Sequence, residues 1–519
     1  MIQQQQFQRV KWSALWVVAL LIALIPVSSE SIWMGESLTF HAANQESLGA
    51  ALSSMDEVTW MKQYMAGYTF YTWAWDKIFG SSEWAIRMSN WPWLVLLLMS
   101  LYILPLPRFQ RIFLLIAYTF HPFVWLHMDE AKPSIILMAC TGVALHGLIM
   151  YFYGTGTTQK RGRWMLIASV FVGVSTHSLF VLAGVPLVFV LVWHVIAKRN
   201  ISIGRVTDSA ILLGALVAAG IFWGIAYWQQ WTWDWTQMDN SNVIYTLYEF
   251  VGCAGLGPPW KSIVRAPHFA LFQPYFPQVL PVIGIFGLIA LLGIFKAKKW
   301  ATFRSPWLWA SIVGFGMILV LMMGFNFRFW GRHLAFLFPF FLMFLSDILQ
   351  KSNRLYPYLT RGLIGGLLIL WVLSSMHIRF DPAFEKGAYR EATTMAQVLA
   401  TQYQAPIYWT GDQMTGQYYG LDFFEIEKKA MRSLKGTQAI QLENYYPSIE
   451  SDLSLSSDGV LVWFDYFNNF DRNQALAFAL ARRGGVLIHQ APSYKIYKLG
   501  TVRPASLSQL QPQTQESSE

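Results

Sequence analysis

Long apolar windows recur along the first three quarters of this sequence, and each is close to the length that a helix needs to cross a bilayer. About 20 helical residues span roughly 30 Å of hydrocarbon. About eleven such windows can be read, namely WSALWVVALLIALIPVS (12–28) and stretches near 92–107, 111–126, 134–153, 164–181, 183–197, 209–228, 279–295, 306–324, 334–349 and 361–376. Composition agrees, since 55% of the 519 residues are hydrophobic and only 13% are charged. The sequence therefore predicts a mainly α, polytopic transmembrane helix bundle.

Basic residues predict which way this bundle faces. Arg9 and Lys11 precede the first window, and the alternate short connections read TQKRGR (158–163), AKRNISIGR (197–205), KAKKW (296–300) and KSNR (351–354). Because Lys and Arg are retained on the cytoplasmic side, the N terminus and these connections are predicted to be cytoplasmic. The other connections then face outward, and they comprise 29–91, 127–133, the turn near His177, 229–278, 325–333 and everything after about 377.

The excess of basic residues needs no nucleic-acid partner. The net charge is +9, and its placement in the cytoplasmic connections is explained by orientation and by anionic lipid headgroups. The first window lacks a small-residue cleavage pattern and is predicted to remain as an anchor. We expect a multi-pass integral membrane protein, with the bacterial inner (plasma) membrane as its location.

The sequence after about residue 377 has a different character. The stretches APIYWTG (405–411), GVLVWFDYF (459–467) and GVLIHQAPSYKIYKL (485–499) are typical of short buried strands, and NQALAFALARRGG (473–485) is typical of a helix closed by glycine. The prediction is a transmembrane domain over 1–376, with outer loops at 29–91 and 229–278, followed by a small extracytoplasmic α/β domain over 377–500. Residues 501–519 are polar without an apolar period, which predicts a disordered tail.

Polar side chains at the outer ends of the predicted spans are the candidates for function. They are Glu36 in SIWMGESLTF (31–40), Asp129, Glu130 and Lys132 in HMDEAKP (127–133), His177 in another outer turn, and Arg332 and His333 in NFRFWGRH (326–333). Carboxylates and cations on one rim of an aromatic-rich bundle suggest a site for an anionic, partly apolar ligand. A lipid-linked phosphate fits, because Arg binds phosphate oxygens in pairs while apolar grooves accept the tail.

If that phosphate carries a sugar, transfer to a hydroxyl needs one base, and the departing phosphate needs only charge stabilisation. One carboxylate then suffices, whereas glycoside hydrolysis requires a second carboxyl group. Simpler interpretations stay open for each residue. Glu36 could cap a short helix, Asp129 and Glu130 could be solvated turn acids, and His177 could be an interfacial histidine. Arg332 and His333 could reach toward lipid headgroups.

The order of several motifs resembles a known family over roughly residues 12–380. The motifs are SIWMGES after the first window, FGSSEWAIRMSN (79–90), HPFVWLHMDEAKPSIILM (121–138), the THS turn (176–178) and FWGRHLAFLFP (329–339). They resemble the GT-C glycosyltransferases of the protein mannosyltransferase and aminoarabinose transferase type. This resemblance implies an extracytoplasmic transferase that moves a sugar from a polyprenyl-phosphate donor to a lipid, glycan or protein acceptor. It also implies that the acid of the first outer loop is the catalytic base.

The sequence departs from that family at an important position. Gly35 stands where the family typically has Asp, so only Glu36 of an expected acidic pair is present, and Lys132 replaces an Arg in the next outer turn. Three interpretations follow: Glu36 is the base, Asp129 or Glu130 supplies it, or transferase activity is lost. The last leaves a non-catalytic lipid-phosphate binding or transport protein as the alternative function.

Three further expectations concern structure and cofactors. Arg87 is predicted to orient the first outer loop through an ion pair with Glu83, one helical turn earlier. Asp234, within WTWDW (231–235), is a minor candidate for acceptor or metal contact. No metal or other cofactor is expected, because cations near the rim can stabilise the phosphate, although a divalent cation on the outer acids remains possible.

Overall fold

The computed structural model describes residues 14–59, 62–197, 240–259, 262, 269–295, 305–325, 331–423, 438–441, 458–464, 480, 484–491 and 493–500. These residues form two compact units. The first comprises Met1–Ser29 and Thr39–Glu385, and the second comprises Glu30–Leu38 and Lys386–Glu519. The predicted window at 209–228, the WTWDW run with Asp234, and the tail at 501–519 lie outside the described residues.

The first unit is helical. Helix α1 (Met34–Ala43) begins in the second unit and ends in the first. After a helical stretch over 14–22, the other helices of the first unit are α2 (Leu48–Thr59), α3 (Lys62–Phe79), α4 (Glu83–Met88), α5 (Trp91–Tyr102), α6 (Arg108–Phe120), α7 (Pro122–Met128), α8 (Ser134–Tyr153), α9 (Thr157–Thr176), α10 (Phe180–Ala197), α11 (Asn240–Phe250), α12 (Phe276–Phe295), α13 (Pro306–Phe325), α14 (Phe338–Leu355) and α15 (Pro357–Phe380). Short 3₁₀ helices occupy Phe269–Tyr275, Gly331–Leu337 and Pro382–Phe384.

Helix α8 forms the centre of this unit. Its sequence is apolar on all sides, and a helix of that kind is buried all round; residues 134–152 are indeed buried. Helix α9 packs closely along it because glycines face each other. A Cβ added at Gly147 would lie 2.8 Å from the carbonyl oxygen of Gly162, so larger residues would separate the two helices.

Four of the described helical segments are long and apolar enough to cross a membrane. They are Ser134–Tyr153, Ala270–Leu292, Gly331–Leu355 and Pro357–Phe380, and α6 with α7 adds a fifth if this bent pair is one span. Large apolar side chains on α12 and α15 face outward, for example Leu280 (58% exposed) and Ile369 (62%). Lipid, not water, suits such a surface, so the chain is a membrane protein. The count of eleven spans stays a prediction.

A 47° bend between α6 and α7 carries the chain into the 129–133 turn. It occurs at His121–Pro122, where proline begins the new helix without needing an N–H partner. The His121 imidazole Nδ1 accepts a hydrogen bond from the Phe123 N–H at 3.1 Å and caps that helix.

The second unit contains the expected sheet. Its elements are α16 (Tyr389–Tyr403), β1 (Ile407–Trp409), α17 (Gln413–Tyr418), β2 (Asp422–Phe423), β3 (Gln438–Gln441), β4 (Gly459–Phe464), β5 (Val486–Gln490) and β6 (Tyr494–Leu499). The strand order is β2-β3-β1-β4-β6-β5. The first four strands are parallel, and β6 is antiparallel to both β4 and β5. The strand-like stretches at 405–411, 459–467 and 485–499 thus contain β1, β4 and the β5–β6 hairpin, while most of the predicted helix at 473–485 lies outside the described residues.

Residues 30–38 belong to this second unit although they are distant in sequence. The Ile32 N–H donates to the Tyr419 hydroxyl at 2.7 Å, and the Arg390 N–H donates to the Ser31 hydroxyl at 3.0 Å. Trp33 packs against the apolar core that surrounds Trp409. The division at 385/386 falls after the predicted boundary at 376, because α15 continues to Phe380.

Candidate functional site

The turn between α7 and α8 carries three of the predicted site residues, Asp129, Glu130 and Lys132. One buried side chain holds its backbone in place. The Asn90 amide Nδ2 donates to the carbonyl oxygens of Glu130 (2.7 Å), His127 (3.3 Å) and Met128 (3.4 Å). The position of the turn therefore depends on an asparagine that sequence analysis did not select.

Glu130 lies among cations in the first unit. It is 9% exposed, and its Oε2 lies 3.2 Å from Nδ1 of His127. Burial by itself raises the pKa of Glu130, but the His127 hydrogen bond and the charges of His127, Lys132 and Arg332 outweigh it and lower the pKa to about 2. Glu130 is therefore an ionised carboxylate at neutral pH.

The predicted basic residues lie close to one another. Lys132 and Arg332 both act on Glu130, and His333 is within electrostatic reach of Arg332, His177 and Lys132. The His177 Nδ1 accepts the Leu179 N–H at 3.0 Å, which fixes its ring in the turn between α9 and α10. The structure thus brings together residues that lie far apart in the sequence, from Glu130 to His333. Burial lowers the pKa of His177 to about 4, so its imidazole is neutral. We call Lys132 and Arg332, together with the surrounding Glu130, His177 and His333, the cation cluster.

A second carboxylate, Glu249 on α11, faces this cluster and was missed by sequence analysis. It is 4% exposed. Burial is the largest cause that raises the pKa of Glu249 to about 8, and the charge of Glu130 adds to it, against hydrogen bonds from Tyr245 and Gly331 and the charge of Arg332. A lone acid inside the apolar stretch VIYTLYEFVG (243–252) is the signal that could have identified it.

Asp129 has a different environment from its neighbour Glu130. Its Oδ1 accepts the Ser28 N–H at 2.6 Å and its Oδ2 accepts the Ser28 hydroxyl at 3.0 Å. Arg87, fully buried on α4, donates from Nη1 to the Ser28 carbonyl and hydroxyl oxygens, both at 3.2 Å. Asp129 and Arg87 therefore converge on the end of the first apolar stretch. The predicted ion pair of Arg87 with Glu83 stays a prediction.

Glu36 belongs to the second unit. It lies in the first turn of α1 and is fully buried. Its Oε2 is 3.4 Å from Nζ of Lys386 and accepts the Trp33 N–H at 3.4 Å. The acid is thus held next to a cation from the start of the C-terminal domain.

The arrangement of these side chains also bears on metal binding. Within the described ranges, no group of three or more His, Cys, Asp or Glu side chains is arranged to hold a metal ion. The expectation of metal independence stays a prediction.

Comparisons with known proteins bear on the fold. No family model and no curated protein sequence matches this chain. The fold is similar to the crystal structure of ArnT from Cupriavidus metallidurans bound to undecaprenyl phosphate, with a TM-score of 0.51 and 11% identity over 95% of this chain and 99% of that chain. ArnT is an aminoarabinose transferase of the GT-C family, so the resemblance predicted from the sequence motifs is confirmed at the level of the fold.

Proposed function

We propose that the protein is a membrane glycosyltransferase that moves a sugar from a polyprenyl-phosphate donor to a lipid, glycan or protein acceptor on the extracytoplasmic face. The observation that carries this proposal is the cation cluster. Lys132 and Arg332 act on one buried carboxylate, Glu130, and His177 and His333 lie with them. The fold is shared with ArnT, whose crystal structure holds undecaprenyl phosphate.

The cluster supplies what a phosphate leaving group needs. When the bond between the sugar and the phosphate oxygen breaks, the polyprenyl phosphate leaves with developing negative charge, and fixed cations stabilise that charge without reorganisation. Arg332 can bind two phosphate oxygens at once, whereas Lys132 contributes a point charge. His333 and His177 add imidazole hydrogen-bonding groups beside them. The exposed apolar surfaces of the helices suit the prenyl chain.

The acceptor hydroxyl needs one general base, and the chain offers Glu36, Glu130 and Asp129. We favour Glu36, because the resemblance assigns the catalytic base to its loop. Glu130 is ionised but a weak base, since its pKa of about 2 is far from the working pH. Asp129 is engaged by Ser28. Catalysis is proposed to proceed without a metal or other cofactor.

A donor on the extracytoplasmic face requires a defined orientation of the protein in the membrane. With the N terminus in the cytoplasm, the cation cluster and the C-terminal domain face outward, where a polyprenyl-linked sugar would serve glycosylation of the cell envelope. The pattern of basic residues in the cytoplasmic connections supports this orientation. Eleven spans, rather than the four or five described, fit this topology.

The test is mass spectrometry of lipids that co-purify with the protein from its own membrane in mild detergent. We compare the unmodified chain with Arg332→Ala and with a matched control, Arg361→Ala, whose arginine is exposed at the start of α15. The expected result is a prenyl phosphate with a sugar mass in the unmodified and control proteins that is lost in Arg332→Ala. Bulk phospholipid alone in all three would count against the donor class.

A second candidate function is a lipid-phosphate binding or transport protein without transferase chemistry. The observation that favours it is the pairing of Glu36 with Lys386, together with Gly35 in place of the family's Asp. A transfer assay with the co-purified donor separates the two functions. Sugar release or transfer that is lost in Glu36→Gln supports the enzyme, and binding without turnover in the unmodified protein supports the alternative.

A further inference from the structure

The carboxyl group of Glu249 occupies a restricted position beside the cation cluster. It lies against the backbone of Gly331, the residue before Arg332. A Cβ added at residue 331 would lie 2.9 Å from Glu249 Cδ and would overlap Oε2. The Gly331 N–H donates to this carboxyl group, and so does the Tyr245 hydroxyl. Glu249 is therefore fixed in place by α11 and by the segment that carries Arg332.

The charges around Glu249 have opposite effects on its pKa. Glu130 is a negative charge that disfavours a second carboxylate, whereas Arg332 favours one. Glu249 is nearly inaccessible to water, which also disfavours its charged form. The two carboxyl groups thus differ in state at neutral pH, since Glu130 is ionised and Glu249 is mainly protonated, with pKa values of about 2 and about 8.

We propose that Glu249 is a proton-dependent gatekeeper for phosphate at Arg332: the neutral acid leaves the guanidinium available to a lipid phosphate, and the ionised acid competes with it. This inference rests on the proposed function, because it assigns the phosphate to the cation cluster. An ionised Glu249 would place two negative charges, with Glu130, beside the incoming anion. A bound phosphate would conversely favour the proton on Glu249, so the ligand and the proton bind together.

Other titratable groups face Glu249 and must be separated from it. Tyr245 and Tyr248 lie on the same helix, and the charge of Glu249 contributes to the raised pKa of Tyr248. From neighbouring elements, the charges of Glu130 and Arg332 act on Glu249. These two are in turn within electrostatic reach of His127, Lys132 and His333, and His333 is within reach of His177. Glu249→Gln abolishes titration at this position alone. Any pH dependence that comes from the other groups remains in the variant, so comparison with the unmodified protein isolates the effect of Glu249.

The experiment measures binding of undecaprenyl phosphate to the full chain in lipid nanodiscs from about pH 7.5 to about pH 9. A phosphate monoester is already fully ionised in this range, because its second pKa is about 6. The unmodified protein should bind about tenfold more weakly at the upper pH, in proportion to the protonated fraction of Glu249. Glu249→Gln, which keeps a neutral amide of similar shape, should bind with an affinity that hardly changes. Glu83→Gln, on the separate helix α4, is the matched control and should behave like the unmodified protein.

Proton uptake on ligand binding can be measured on the unmodified protein, so this test does not require that a variant folds. Undecaprenyl phosphate added to the unmodified protein in weak buffer near pH 8.5 should cause proton uptake of up to about one proton per molecule bound. Binding without proton uptake, or equal pH dependence in Glu249→Gln, overturns the gatekeeper role while leaving the phosphate site intact. Absence of binding at every pH instead overturns the proposed function.

Discussion

Ser28 and Asp129 are joined by two hydrogen bonds, from the Ser28 N–H to Oδ1 at 2.6 Å and from the Ser28 hydroxyl to Oδ2 at 3.0 Å, across 101 residues of sequence. The carboxylate thus ties the end of the first apolar stretch to the turn before α8. Arg87 contacts the same serine from α4. Three separate parts of the first unit meet at one hydroxyl, which indicates a structural role for Asp129.

Asp129→Ala removes both acceptors and leaves the buried Ser28 N–H without its carboxylate. An unsatisfied buried group costs about 1–3 kcal/mol, so we expect a lower free energy of unfolding by that amount, measured as reduced thermal stability in detergent. Asp129→Asn keeps one acceptor and should lose less. Asp458→Asn is the control, because the Asp458 carboxylate is 64% exposed in its pair with Lys498 and such pairs contribute little.

The same variants test whether Asp129 is the catalytic base. We expect Asp129→Asn to retain transfer activity within about tenfold of the unmodified protein, since loss of a general base typically costs about 100-fold or more. A larger loss in a protein that remains folded and binds donor would assign the base to Asp129.

Asn90 should control donor affinity without touching the donor. Its amide donates to three carbonyl oxygens of the segment that carries Glu130 and Lys132. Asn90→Asp replaces the donor with an acceptor that faces those carbonyls, so the turn should shift and undecaprenyl phosphate should bind about tenfold more weakly. Asn90→Ala should show a smaller effect. Equal affinity in both variants, measured in nanodiscs, would mean that the turn keeps its position without this amide.

Gly331 is required where Glu249 approaches the backbone. Gly331→Ala places a Cβ 2.9 Å from Glu249 Cδ, which must displace either the carboxyl group or Arg332. We expect thermal stability to fall and phosphate affinity to fall with it. Gly316→Ala is a suitable control, because nothing lies within 4 Å of a Cβ there. An unchanged Gly331→Ala protein would show that the carboxyl group can move away at little cost.

Metal removal should not abolish transfer. Lys132 and Arg332 already provide positive charge at the proposed phosphate site, so a divalent cation is not needed to stabilise the leaving group. Treatment with EDTA followed by gel filtration should leave the transfer rate unchanged, and added Mg²⁺ or Mn²⁺ should not increase it. A rate that falls and is restored by one of these ions would place a metal in the mechanism.

The sequence allowed part of this site to be predicted, for physical reasons that can be traced. Lys132 and Arg332 stand out because charges are expensive beside apolar spans, and the shared outward face predicted that they lie together. Glu249 was not identified from the sequence, because its approach to Gly331 depends on how α11 packs. Hydrophobic periodicity does not encode that packing. The assignment of residues 30–38 to the C-terminal unit depends on contacts such as Ile32 with Tyr419, and no spacing in the sequence indicates them.

The fold was more predictable than the site. Apolar windows such as 134–153 coincide with helices because length and hydrophobicity determine them locally, and α8 spans Ser134–Tyr153. The strands at β1 and β4 were equally visible as buried runs. Asp129 and Glu130 show the limit, since adjacent acids with the same sequence signal have different partners, Ser28 and His127.

The pair formed by Glu36 and Lys386 allows the roles of base and structural ion pair to be distinguished. If Glu36 is the base, Glu36→Gln should reduce transfer by about 100-fold or more while undecaprenyl phosphate still binds. Lys386→Met leaves the buried carboxylate without this cation at 3.4 Å. Because a nearby cation favours the ionised form of an acid, its removal favours the protonated form, and activity should then be lost at a higher pH on the acidic side of the pH–rate profile.

A purely structural pair predicts lower stability in both single variants, recovery in the Glu36→Gln, Lys386→Met double variant, and no displacement of the pH–rate profile. Loss of activity that follows stability in all three proteins would therefore remove Glu36 from catalysis.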